Sequence, residues 1–301
     1  MSEAKKGFWA IVAACVIWGL SGLYYKVLSE VPPIEVLAHR TLWSAVFLAA
    51  VLGARGRLGE LGQALGGGRA VLGRLMVSAL VISTNWFAFI WSVQQGHALE
   101  ASFGYYIFPL VAVLLGRLML GEGMGRLQWA AVGIAAFAVL LLGAGLGVAP
   151  WVPLILAVTF GSYGLIKKQL AVAPVTSVLA EVVILAPVAV GVLWATHLGG
   201  LGDGQGGQFG RDLGHSLMLA FSGVLTGGPL LLFSYAAQRV RLATIGLVQY
   251  LNPTLQLGVA VLAFGEPLTP WHLMALPLIW VALALYSAAS LRRGPVPTPV
   301  Q

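Results

Sequence analysis

Charged residues are scarce in this sequence. It holds 17 Lys or Arg and 10 Asp or Glu among 301 residues, or 9%, against 59% hydrophobic and a mean hydropathy of +0.90. A soluble domain carries about 25% charged residues to cover its surface, so the composition reads as an integral membrane protein. A long polar stretch is also missing. The longest interruptions, near 54–69 and 198–214, are glycine-rich and too short for an ATP-hydrolysing domain, and no Walker A phosphate loop occurs. Any pumping has to be driven by a gradient. A single cysteine, Cys15, excludes an intramolecular disulfide, and no Cys/His cluster offers a zinc site. No metal or cofactor is expected. Lys5, Lys6 and the apolar run to Cys15 resemble a lipoprotein signal, but the run is short and the segment reads as a first membrane helix. Asp203 and Asp212, the two aspartates, fall in one loop. No aspartate-rich metal site or Ser/His/Asp constellation is available, and an enzyme is the least favoured function.

What is present is a series of apolar runs. One crossing needs about 20 apolar residues, and spans read near 7–28, 34–53, 71–93, 99–119, 127–146, 150–168, 176–197, 215–237, 243–264 and 270–291. With the N-terminus inside, Lys5, Lys6, Arg55, Arg57, Arg69, Arg74, Arg117, Arg126, Lys167, Lys168, Arg239, Arg241, Arg292 and Arg293 are cytoplasmic, 14 of the 17 basic residues. Arg211 lies in an outside loop, and Lys26 and Arg40 sit at the outer ends of the first two spans. This bias predicts ten transmembrane helices with both termini cytoplasmic, an all-α fold without a soluble domain. The net charge of +7 is then a topology signal and not a sign of nucleic acid.

The chain also repeats itself. Gly19, Gly22, Leu23, Lys26, Leu28 and Pro32 recur 142 positions later as Gly161, Gly164, Leu165, Lys168, Leu170 and Pro174; Ser92, Ala101, Gly104 and Trp129 recur as Ser234, Ala243, Gly246 and Trp271. Phe108 faces Tyr250 at the same offset, while Gly121 and Glu122 match Gly265 and Glu266 at 144. Five spans per half is odd, so the halves, 1–148 and 149–301, run through the bilayer in opposite senses. Two inverted five-helix repeats are a device of alternating-access transporters, with the substrate near the midplane.

His39-Arg40-Thr41-Leu42-Trp43-Ser44, Asn85-Trp86 through Ile90-Trp91, Leu99-Glu100-Ala101-Ser102-Phe103-Gly104-Tyr105-Tyr106 with Pro109-Leu110, and Gln249-Tyr250 with Pro253-Thr254 together resemble RarD-type permeases. These belong to the EamA group of the drug/metabolite transporter superfamily. The resemblance covers nearly the whole chain, and the string at 99–105 is its most specific part. It implies a ten-helix, two-repeat secondary transporter of the bacterial inner membrane with a central cavity. Phe108 stands where the family pattern has Asn.

Ionisable residues inside spans are functional candidates because a buried charge is costly unless paired or neutral. Glu35 and His39 share a helix face and Arg40 points elsewhere. Either this cluster lies at the outer interface, with Arg40 reaching headgroups and Glu35 solvated, or it forms an outer gate or proton-responsive group. Glu181 is the repeat counterpart of His39, with Ser177 one turn before it; pairing with Lys168 and a coupling role both stay open. Glu100, beside His97 at the outer start of the fourth span, suits the helix dipole, and Glu122 and Glu266 read as loop anchors. Substrate contacts are assigned to Asn85, Trp86 and Phe89 of the third span, Tyr105 and Tyr106 of the fourth, Gln249, Tyr250 and Asn252 of the ninth, and Trp18 of the first. Their flat apolar faces and single polar edges suit an amphipathic aromatic or zwitterionic metabolite. Trp9, Trp129, Trp151 and Trp271 read as interfacial belt residues. Pro109, Pro253 and the Thr226-Gly227-Gly228-Pro229 run read as hinges or static kinks. The partners implied are a small-molecule substrate, the lipid bilayer and protons, with no nucleic acid and no protein. The alternatives are an uncoupled facilitator, a channel or a lipid scramblase.

Overall fold

A computed structural model describes residues 2–121, 123–146, 150–199, 206–240, 245 and 248–292. The described residues form helices α1 (Glu3–Val27), α2 (Pro33–Ala54), α3 (Gly59–Leu65), α4 (Arg69–Gln94), α5 (Ala98–Leu120), α6 (Arg126–Leu146), α7 (Trp151–Lys168), α8 (Pro174–His197), α9 (Leu213–Ala237), α10 (Leu251–Gly258) continuing as a π turn (Val259–Ala263), and α11 (Pro270–Arg292). In a bilayer only closed backbone hydrogen bonding is tolerated, which is why apolar runs without caps inside them become unbroken helices. Their limits follow local chemistry. Ser2 accepts from the Lys5 amide to start α1, Asp212 accepts from the His215 amide to start α9, Pro33 and Pro174 occupy first turns where no N–H is needed, and Gly121 ends α5 at φ +67°.

The bundle is apolar on its sides and holds buried polar groups within a largely apolar core. Leu80, Val188, Trp194, Leu262 and Met274 are exposed on its sides, whereas Glu35, Arg40, Asn85, Glu181 and seven serines, among them Ser44, Ser78 and Ser222, are buried. Eight described helices are long and apolar enough to cross a membrane, and Leu251–Ala263 is a shorter apolar helix. The chain is a multi-pass helical membrane protein.

Polar contacts sort the helix ends into two faces. On the first, Arg239 Nε donates to Glu3 at 2.9 Å, Arg74 to the Gln169 carbonyl at 3.1 Å, and Thr176 Oγ1 to Glu60 at 2.7 Å. On the second, Gln94 Nε2 donates to the Leu28 and Val31 carbonyls, and Glu266 accepts from the Ala98 and Leu99 amides at 2.9 and 2.7 Å. Helix α7 starts at the second face, where the Trp151 ring lies 5.0 Å from Trp91, and ends at the first beside Arg74, so it traverses the full depth against α4. α1 and α7, and likewise α2 and α8, therefore begin on opposite faces.

The packing maps onto itself when α1, α2, α4, α5 and α6 are exchanged for α7, α8, α9, α10 and α11. α1 packs on α9 and α10 as α7 packs on α4 and α5; α2 packs on α9 as α8 on α4; α2 meets α8 and α6 meets α11. Gly19 and Gly161, equivalent in the repeat, both mark close crossings: a Cβ at Gly19 would lie 2.6 Å from Leu255 Cβ, and one at Gly161 3.3 Å from the Ala112 amide nitrogen.

Three expectations change. The polar stretch at 54–69 contains a short helix, α3, whose Glu60 binds Arg57 at 2.5 Å and Thr176. The Thr226–Pro229 run does not interrupt its span, since α9 continues through Pro229. The expected span 243–264 is not one helix: the described part turns at Gln249 and Tyr250 before α10. The repeat supplies the reason. Gly104 and Gly246 are 142 apart, but Pro109 and Pro253 are 144 apart, so two extra residues enter where the helix breaks. A π turn in the same segment, at 259–263, adds a second irregularity that α5 lacks.

Glu266 carries a pH prediction. It lies between spans, and burial raises its carboxyl pKa even though the Leu99 and Ala98 amides oppose this. Because the folded value exceeds the unfolded one, its contribution is present at acidic pH and is lost as pH rises through the folded value. Thermal unfolding followed from pH 4 to 8 should show a decline that Glu266→Gln flattens; an identical profile in that variant would refute the assignment.

Candidate functional site

Arg40 lies in the second turn of α2 and is only 8% exposed. The interfacial reading, with Arg40 reaching headgroups, therefore does not hold: the side chain turns inward. Its Nε donates to Thr226 Oγ1 of α9 at 2.9 Å, and its guanidinium carbon lies 4.2 Å from the Trp86 ring centroid and 5.6 Å from that of Tyr25. No carboxylate lies within ion-pair distance of Arg40 among the described residues. Four helices, α1, α2, α4 and α9, meet at this group.

Next to it stands an aromatic wall. Phe89 packs edge-on against Tyr25 at 6.0 Å and Tyr105 at 5.7 Å, and Tyr105 packs edge-on against Phe160 at 5.8 Å. Tyr105 donates to Asn85 Oδ1 at 2.9 Å, while Asn85 Nδ2 donates to the Leu156 carbonyl and to Thr159 at 3.0 and 2.9 Å. Asn85, 1% exposed, thus ties α4 to α5 and α7 with all its polar atoms engaged. Tyr105→Phe would leave the Asn85 oxygen without its donor, and a loss of about 1–3 kcal/mol in folding stability is expected, read as a lowered melting temperature. Unchanged melting would show that the bond contributes nothing.

On the side of the second face, Glu35 is fully buried and not solvated: Oε1 accepts from the Gln208 and Phe209 amides at 2.8 and 3.2 Å. His39 stacks on Phe209 at 4.5 Å, with its Nε2 3.9 Å from Glu35. Together they pin the segment leading into α9. Glu100 sits in the first turn of α5, 3.3 Å from His97 Nδ1, and the amides of that turn go instead to Glu266.

Toward the first face, Glu181 is 1% exposed and at the centre of a network. Lys167 Nζ lies 2.5 Å from Oε1, Ser78 donates to the same oxygen at 2.7 Å, and Tyr163 donates to Oε2 at 3.2 Å. Lys167 also donates to Ser177. The ion pair is with Lys167, not the neighbouring Lys168, because α7 turns Lys167 toward α8.

The remaining candidates are placed elsewhere. Trp18 meets Phe233 at 6.2 Å, Asn252 Oδ1 accepts from Gln256 at 3.0 Å, and Tyr106 bonds Thr254 at 2.9 Å, linking α5 to α10. Gln249 and Tyr250 are half-buried at the helix break, and Pro253 is buried in α10. α5 passes through Pro109 without interruption. Gly227 is packed against Phe47, with a hypothetical Cβ 2.7 Å from Cε1, whereas Gly228 has open space around it. Phe108 packs edge-on against Phe160 at 4.9 Å. Glu122 lies outside the described residues. Sequence reasoning missed Tyr25, Ser78, Tyr163 and Lys167. The repeat held a usable signal: Tyr25 and Lys167 are equivalent positions, as are His39 and Glu181, so the neighbours of one pair point to those of the other.

A bundle with lipid-facing apolar sides, two sets of helices exchanged by an inverted repeat, and charged groups buried at their junction defines a membrane transporter of the two-repeat class. A family model of the EamA-like transporter family matches twice, at residues 5–144 and 149–288. The chain belongs to the EamA-like transporter family, and its relatives are RarD-type permeases. It is 41% identical to Protein RarD of Streptomyces exfoliatus, over 97% of this chain and 91% of that one, and 38% identical to the uncharacterized transporter YojE of Bacillus subtilis, over 97% and 96%. A solved crystal structure superposes with a TM-score of 0.63 at 18% identity, over 97% of this chain and 99% of that chain, which shows a shared fold.

Proposed function

We propose that the protein is a secondary carrier that moves a small amphipathic organic solute across the bacterial inner membrane by alternating access. The two halves, 1–148 and 149–301, contribute ten spans in this reading, with the face that gathers Lys5, Lys6, Arg74 and Arg239 on the cytoplasmic side. The observation that carries it is the exchange symmetry of the packing: swapping the arrangements of the two halves opens one face and closes the other around a fixed centre. Arg40 and the Tyr25, Trp86, Phe89 and Tyr105 rings lie at that centre and supply the solute contacts. Glu35 and His39 form the outer gate, and Glu181 with Lys167 the inner one, with protons as the coupling ion. Transporters are named among the relatives, which supports a transport role.

The test is counterflow in proteoliposomes with each solute that raises the melting temperature of the purified protein. Saturable exchange of labelled solute against unlabelled solute inside is expected. Flux that rises linearly with concentration would mark a channel instead, and lipid mixing between leaflets without solute exchange a scramblase.

A further inference from the structure

We infer that Arg40 is the anion-binding element of the transport site, so that the solute carried has a carboxylate beside a flat apolar portion. The inference rests on the carrier reading above and sharpens its substrate class. A guanidinium has five N–H donors in a fixed fork, suited to grip a carboxylate with two parallel bonds. Here Nε is engaged by Thr226, and the Nη1 and Nη2 donors have no hydrogen-bond partner among the described residues. The group is nevertheless only 8% exposed.

Such a charge is costly in a membrane bundle unless something compensates it, and side chains of this kind mark substrate pathways. Among the described residues, the other buried charges have protein partners. Glu181 is held by Lys167, Ser78 and Tyr163, and Glu35 by two backbone amides. Arg40 has instead one neutral hydroxyl and two aromatic faces, which attract a cation while leaving the edge of its fork unused. The fixed Nε contact and the Trp86 face hold the guanidinium plane in one orientation. That is pre-organisation for a planar anion, which loses less freedom on binding than it would to a mobile lysine. The Phe89 and Tyr105 rings continue from Tyr25 and offer the apolar half of the site.

Matched pairs test this: phenylacetate against phenylacetamide, and indole-3-acetate against indole-3-acetamide, titrated into the full chain in nanodiscs. Each carboxylate is expected to bind at least tenfold more tightly than its amide. Arg40→Gln should erase the difference by weakening the carboxylate at least tenfold more than the amide. Arg40→Lys keeps the charge but not the fork and should give an intermediate preference; it carries the test if Arg40→Gln does not yield a monodisperse, helical protein. Equal affinities within each pair, no binding by either carboxylate, or a preference that survives both variants would overturn the inference. Its failure is separable from that of the carrier reading. Saturable counterflow restricted to neutral or cationic solutes keeps the carrier and removes the anion site, whereas Arg40-dependent carboxylate binding without counterflow of any solute does the reverse.

Discussion

Glu181→Gln is expected to destabilise the protein by about 3 kcal/mol or more and to uncouple it from a pH gradient. Removing one member of a buried ion pair leaves the other as an uncompensated charge, at a cost of about 3–5 kcal/mol. Lys167 keeps 21% side-chain exposure, which places the effect toward the lower end. Ser78, Ser177 and Tyr163 would remain, but Ser78 and Tyr163 donate to Glu181 and cannot both reorganise around a neutral amide without losing geometry. The double variant Lys167→Met with Glu181→Leu, which removes both charges, should recover most of the loss in melting temperature. For function, in Glu181→Gln, or in the double variant if the single one unfolds, solute accumulation should no longer respond to a transmembrane pH gradient, while counterflow at equal pH persists. A response equal to that of the parent would dismiss Glu181 as the coupling group, whatever its part in stability.

The second large effect concerns Gly223, where α9 lies directly on the backbone of α2. A Cβ there would overlap the Trp43 carbonyl and sit 2.9 Å from the Ser44 nitrogen. Backbone cannot step aside as a side-chain tip can, so α2 and α9 would have to separate. Overpacking costs typically about 1–3 kcal/mol and more where main chain has to move. Because that contact also brings Thr226 to Arg40, Gly223→Ala should lower the melting temperature sharply and weaken solute binding together. Gly228→Ala, five residues on and facing open space, is the control. It should be neutral or stabilising by about 0.5–1 kcal/mol through the better helix propensity of Ala. Equal melting temperatures for the two variants would contradict the close approach.

Most of the helical layout was legible because apolar run length answers to the bilayer, a solvent with few solutions. The repeat was legible for the same reason that the packing is symmetric: Gly19 and Gly161 have to be small at equivalent crossings. The direction of individual side chains was not. Arg40, two turns inside α2, could point to headgroups or inward, and only the partners on α4 and α9 decide between them. Lys167 and Lys168 are adjacent in sequence and about 100° apart on the helix, so a choice between them needs the rotation of α7 against α8. Glu35 was misplaced because its partners, the amides of 208 and 209, leave no side-chain signature.

The broken helix at Gln249–Tyr250 and the π turn after it have a consequence for energy balance. In a perfectly duplicated carrier the two access states would be related by the two-fold axis of the repeat and would be populated equally without solute. Here one half braces the centre with the continuous α5, and the other with a segment whose backbone is already interrupted. Under the carrier reading, the two rockings of the bundle load unequal springs. In that reading the empty protein should rest mainly on one side, and excising the two extra residues should shift the population ratio toward parity.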